Sequence, residues 1–74
     1  MKPIIGTIVI YHCDKEQKEK KNNNQEYAPA IITTVWSDDC VNLKVLTDGD
    51  ENLWLTSMMR GDSEYQWNFP VINE

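Results

Sequence analysis

The apolar residues of this chain come in short runs, and the polar residues between them read as turns. Pro3–Cys13 is rich in β-branched residues, which predicts a first strand. Within it Ile4, Ile8 and Ile10 alternate with Ile5, Val9 and Tyr11, so both faces are apolar. Tyr27–Ser37 predicts a second strand, again two-sided: Ala28, Ala30 and Ile32 oppose Ile31 and Val35. Pro29 stands near its start, where a missing N–H is tolerated. Asp38-Asp39 makes a tight connection to a third strand, Cys40–Thr47, with Val41, Leu43 and Val45 on one face and Asn42 and Lys44 on the other. Asp48-Gly49-Asp50-Glu51-Asn52 is the clearest turn, because Asp-Gly favours the positive φ angles of hairpins. A fourth strand, Leu53–Met58, ends at Arg60-Gly61-Asp62-Ser63, and a fifth, Tyr65–Phe69, stops at Pro70.

The long connection is Asp14–Glu26, thirteen polar residues in a row. Lys15–Lys21 has the alternating charges of a helical turn but no apolar anchor to dock it. The Asn22-Asn23-Asn24 triplet that follows favours turn or disorder. Five short strands, hairpin-linked after one long loop, predict an all-β domain over residues 1–74. The expected form is a small, partly open SH3-like barrel with a mobile polar loop at 14–26. An oligonucleotide-binding barrel is the alternative, but it wants more residues and a helix between strands three and four. A small barrel usually shows one strand face to water. Two strands that are apolar on both faces therefore predict a second subunit over the outer face, in a closed homo-oligomer.

Composition narrows the function classes. With 74 residues, 41% hydrophobic and 26% charged, the chain makes one small globular domain. No apolar run approaches the ~20 residues of a membrane span, and the start lacks the pattern of a signal peptide, which predicts a cytoplasmic protein away from membranes. The net charge is −5, and Asp14–Glu26 is neutral, so the rest of the chain carries all of it. Non-specific binding to nucleic acid relies on Lys and Arg meeting phosphates. A body of this sign argues against a duplex DNA or RNA binder.

Few residues suggest chemistry. Cys13 and Cys40 lack the spacing of a zinc site and read as small buried or half-buried hydrophobes. Asp48-x-Asp50-x-Asn52 begins like a calcium loop, but Leu53 stands where glycine is needed and Met59 where the bidentate Glu belongs. Arg60-Gly61-Asp62 reads as a turn rather than an adhesion tripeptide. His12 is the single histidine, and no nucleophile–base constellation accompanies it. The reading is of a non-enzyme without a cofactor. The aromatics stand out instead: Trp36, Trp54 and Trp67, with Tyr11, Tyr27, Tyr65 and Phe69. Their ordinary place is a core or a subunit interface. Yet Trp36 ends its strand, and Trp54 opposes Leu53 and Leu55 with Thr56 on its own face. Exposed rings of this kind can stack on nucleobases.

From Gly6 onward the chain resembles a set of small, uncharacterised β-barrel proteins encoded by bacteriophages and prophages. The resemblance rests on Gly6-x-x-Val9-x-Tyr11, then Tyr27-x-Pro29-Ala30-x-Ile32-Thr33-x-Val35, Val41-x-Leu43-x-Val45 and Asp48-Gly49. The ending often reads Trp-x-Trp-Pro in that set and is Trp67-Asn68-Phe69-Pro70 here. Phage origin implies a non-catalytic binder working in the host cytoplasm against host defence. One form sequesters a small nucleotide-derived signal, such as a cyclic oligonucleotide, between subunits. Its candidates are Arg60 and Lys44 for phosphate, Trp54, Trp36 and Tyr11 for stacking, and Thr56 beside them. The other blocks a host protein through an acidic or apolar surface, for which Asp38, Asp39, Asp48, Asp50 and Glu51 are available.

Overall fold

Strands form within the apolar runs, and all but the fourth come out shorter than expected. In the computed structural model, which describes residues 1–71, the elements are β1 (Ile8–His12), α1 (Lys15–Lys20), β2 (Tyr27–Val35), β3 (Cys40–Val45), β4 (Leu53–Met59) and β5 (Trp67–Asn68). The strands make one antiparallel sheet in the order β4-β3-β2-β1-β5. It curls into a half-barrel, and a bridge between Arg60 and Trp67 ties the end of β4 to β5. The all-β, SH3-like, partly open barrel expected from the turn spacing is therefore the fold.

Strand alternation sends one set of residues inward. Val9 and Tyr11 of β1, Ala28, Ala30 and Ile32 of β2, Val41, Leu43 and Val45 of β3, and Trp67 of β5 are fully or almost fully buried together with Cys13. Leu53, Leu55 and Met58 of β4 pack against them. The Trp67 indole N–H donates to the Met58 carbonyl at 2.9 Å, so the largest core side chain also draws β5 onto β4. Pro29 is accommodated because it lies just past the β3 ladder. Its carbonyl accepts from the Leu46 N–H at 2.9 Å, and the reciprocal donor that proline lacks would fall at the ladder's end.

Strand bounds are corrected first. The first strand begins at Ile8, not Pro3. Gly6 takes φ +93°, a left-handed conformation suited to glycine, and the Thr7 N–H turns back to the Ile4 carbonyl at 3.0 Å. The last strand shrinks to two residues because Tyr65 adopts φ +67° and turns the chain before Trp67.

The second correction concerns residues 14–26, expected as a polar loop with nothing to dock a helical turn: Lys15–Lys20 forms α1, and it is docked. Asp14 caps α1 in a capping box: its carboxylate accepts from the Gln17 N–H at 2.7 Å, and the Gln17 amide oxygen accepts from the Asp14 N–H at 3.0 Å. The same Gln17 oxygen accepts from the Tyr11 hydroxyl at 2.9 Å, which docks the helix on the barrel without an apolar anchor. Asn22 is 1% exposed. It donates to the carbonyls of Gln25 and Tyr27 and accepts from the Asp48 N–H at 2.7 Å, joining this segment to the β3–β4 turn. The third correction is Gly49, which is not among the positive-φ residues. A Cβ there would lie 2.5 Å from the Lys21 carbonyl oxygen, so glycine is required by close approach of the two connections.

Candidate functional site

β3 and β4 carry the site. The Leu46 N–H reaches across to β2, so by antiparallel alternation the backbone groups of Val45 and Leu43 face β4. Lys44 pairs with Ile31 on one side and with Trp54 on the other. Its side chain, like those of Ile31 and Trp54, points away from the core. Ile31 pairs in turn with Ile8, which extends the row across four strands: Trp54, Lys44, Ile31, Ile8. Side chains directly opposite in such a ladder have Cβ atoms about 4.5–5.5 Å apart. The Lys44 ammonium is therefore within reach of the Trp54 ring. Thr56 is two residues along β4 from Trp54 and is exposed on the same outer side.

A second indole is held at the other end of this face. Asn42 is 8% exposed although it faces outward. Its side-chain oxygen accepts from the Trp36 indole N–H at 2.9 Å and from the Ser57 N–H at 2.8 Å. The chain needs this clamp, because β4 carries a bulge opposite Asn42 and Ser57 takes φ +54° there. With its one polar atom satisfied inward, Trp36 remains 63% exposed, and Trp54 is 67% exposed. The result is two exposed indoles toward opposite ends of one sheet face, with Lys44 and Thr56 next to Trp54.

The sequence-predicted residues divide. Trp36, Lys44, Trp54 and Thr56 share the outer face, with Lys44 and Trp54 directly paired and Trp36 beside Cys40 at the other end of β3. Tyr11 does not: it is 0% exposed in the core, and its hydroxyl is taken by Gln17. Burial pushes the Tyr11 phenol up to about 12, against the lowering effect of the Gln17 bond. Arg60 also stands apart. Its guanidinium lies 4.8 Å from the Phe69 ring centroid and 5.9 Å from that of Trp67. Its Nε donates to Asn68 Oδ1 at 3.1 Å. It fastens the barrel seam just past the end of β4, six residues from Trp54. The acidic candidates split as well: Asp38 and Asp39 lie in the β2–β3 turn, and Asp48, Asp50 and Glu51 lie at the opposite end of β3. Asp48 accepts from the Asn23 amide, and Glu51 pairs with Lys21 at 3.4 Å.

Two features escaped the sequence reading. Asn42 looked like an ordinary outward polar residue, and only its pairing with Trp36 and Ser57 shows that it orders the face. A cavity of about 420 Å³ also opens beside β1, between Ile10, His12 and Tyr27 and the Asp62–Asn68–Phe69 segment. The His12 and Tyr27 rings lie 4.7 Å apart there, and Asn68 donates to Asp62 at 3.1 Å. No local sequence signal joins these residues, since the register of β1, β2 and β5 brings them together. A further polar network ties the Tyr65 hydroxyl to the Asp14 carboxylate, which with the Gln17 N–H holds that carboxyl below its usual range. Among the described residues no three metal-ligating side chains cluster. Neither protein-family models, nor curated proteins, nor solved structures match the chain.

Proposed function

We propose that the chain is a non-catalytic binding protein that holds a small nucleotide-type ligand on the Trp36–Lys44–Trp54–Thr56 face, sequestering it without turnover. The observation that carries this reading is the clamp on Trp36. An indole fixed through its N–H and exposed over its ring is a preorganised stacking plate, and Trp54 beside Lys44 supplies a second plate with a positive charge. The resemblance to phage-encoded proteins supplies the setting, a host-defence signal captured in the host cytoplasm. Local charge decides more than net charge for a ligand with two or three phosphates, so Lys44 offsets part of the −5.

Calorimetry against a panel of cyclic di- and trinucleotides tests it. Binding is expected, weakened by Trp54→Ala by roughly 1–3 kcal/mol through lost stacking. Lys44→Ala should weaken it as well and reduce its salt dependence. A flat titration across the panel overturns the nucleotide reading. A second reading then leads, because the row Trp54–Lys44–Ile31–Ile8, apolar but for one lysine, is also a surface for a protein partner. That reading assigns the face, not the divided acidic turns, to the contact.

A further inference from the structure

The two edges of the sheet are treated differently. β5 is two residues long, is followed by Pro70, and has its outer side taken by the Gly61 N–H, which donates to the Trp67 carbonyl at 2.9 Å. The β4 edge carries one such device, the bulge at Ser57, and Leu53–Thr56 before it is open. Leu53–Met59 contains no charge, proline or glycine, although natural edge strands usually carry such devices. Leu53 and Leu55 turn their backbone groups to β3, so the N–H and C=O of Trp54 and Thr56 point outward from the sheet. Among the described residues, no strand lies beyond β4.

We infer that this edge pairs with β4 of a second copy, antiparallel, about a two-fold axis at Leu55. The set of outward groups is self-complementary under that axis. Trp54 of one copy meets Thr56 of the other, and the reverse pair repeats it, giving four backbone hydrogen bonds. The bulge at Ser57 limits the pairing to this short central stretch. Thr56 of the second copy then stands beside Trp54 on the outer face, and two Lys44–Trp54 platforms become one continuous surface. The role of that composite surface in ligand binding rests on the proposed nucleotide reading, while the pairing itself does not.

The test uses the full chain. Sedimentation velocity should show a dimer at micromolar concentration that dissociates on dilution. Thr56→Pro removes an outward N–H and leaves the β3 ladder untouched, so a folded monomer with unchanged near-ultraviolet circular dichroism is expected. Hydrogen exchange on the unmodified chain gives a second measure: the Trp54 and Thr56 amides should be protected in the dimer and exchange quickly after dilution. A chain that is monomeric throughout overturns the inference. So does a dimer in which those amides exchange freely, or one that persists in folded Thr56→Pro. Calorimetry on both forms separates the two claims. Nucleotide binding by a chain that never dimerises sinks only the edge pairing, and a dimer that binds no nucleotide sinks only the ligand reading.

Discussion

Trp67 and Trp54 lie on the two faces of one sheet and do opposite work. Trp67 is 0% exposed, with its indole N–H spent on the Met58 carbonyl and its ring edge-on to Phe69 at 5.5 Å. Trp54 is 67% exposed, beside a lysine. The inner face is closed by many mutually buried side chains. The outer face is nearly as apolar in composition, through Ile8, Ile10, Ile31, Trp36 and Trp54, but the chain leaves it facing outward. Apolar character therefore does not distinguish core from surface here. What distinguishes them is strand parity, together with the curl that brings β5 over the inner face only.

The largest effect should come from the inner face. Trp67→Ala removes the side chain that joins β4 to β5 and is expected to cost about 3–5 kcal/mol, read as a lower denaturant midpoint. A loss under 1 kcal/mol would mean that the barrel seam does not depend on it. Next comes Asn22, the buried residue of the polar connection. Asn22→Ala leaves the Asp48 N–H and two carbonyls without their partner and should cost about 1–3 kcal/mol. An unchanged midpoint would restore the picture of residues 14–26 as a mobile polar loop.

Tyr11 sharpens the contrast through pH. Its phenol titrates near 12 in the folded chain against 10.0 for the ordinary group. Its contribution to stability is therefore complete below pH 10 and is lost as the pH rises toward about 12. Tyr11→Phe should flatten that alkaline decline, measured by circular dichroism against pH. The Asp14 carboxyl acts in the opposite range. Held down by the Tyr65 hydroxyl and the Gln17 N–H, it stabilises the fold above the ordinary carboxylate range, and that contribution is lost as the pH falls through its lowered value. The smallest effect on stability should belong to the outer face: Trp54→Ala is expected within about 0.5 kcal/mol of the unmodified chain. A larger loss at micromolar concentration, absent on dilution, would point to the β4 edge contact.

The sequence by itself determined the five-stranded, all-β barrel, because turn residues at short spacing and strict alternation leave few other ways to bury two-sided strands in so short a chain. It also determined that Trp54 opposes Leu53 and Leu55, since parity within one strand is local. Other features were decided by the tertiary structure. Tyr11 lies in the core because the Val9–Tyr11 parity pairs with Ala30 and Ala28 rather than facing out. Arg60 is consumed at the seam because β4 ends against Phe69 and Asn68. The polar connection is docked because its Gln17 and Asn22 accept hydrogen bonds from Tyr11 and from the Asp48 N–H, in place of an apolar patch. Asn42, Trp36 and Ser57 meet only across a bulge. The physical reason is common to all four: local pattern sets which way a side chain points, while its partner is set by register between segments distant in sequence.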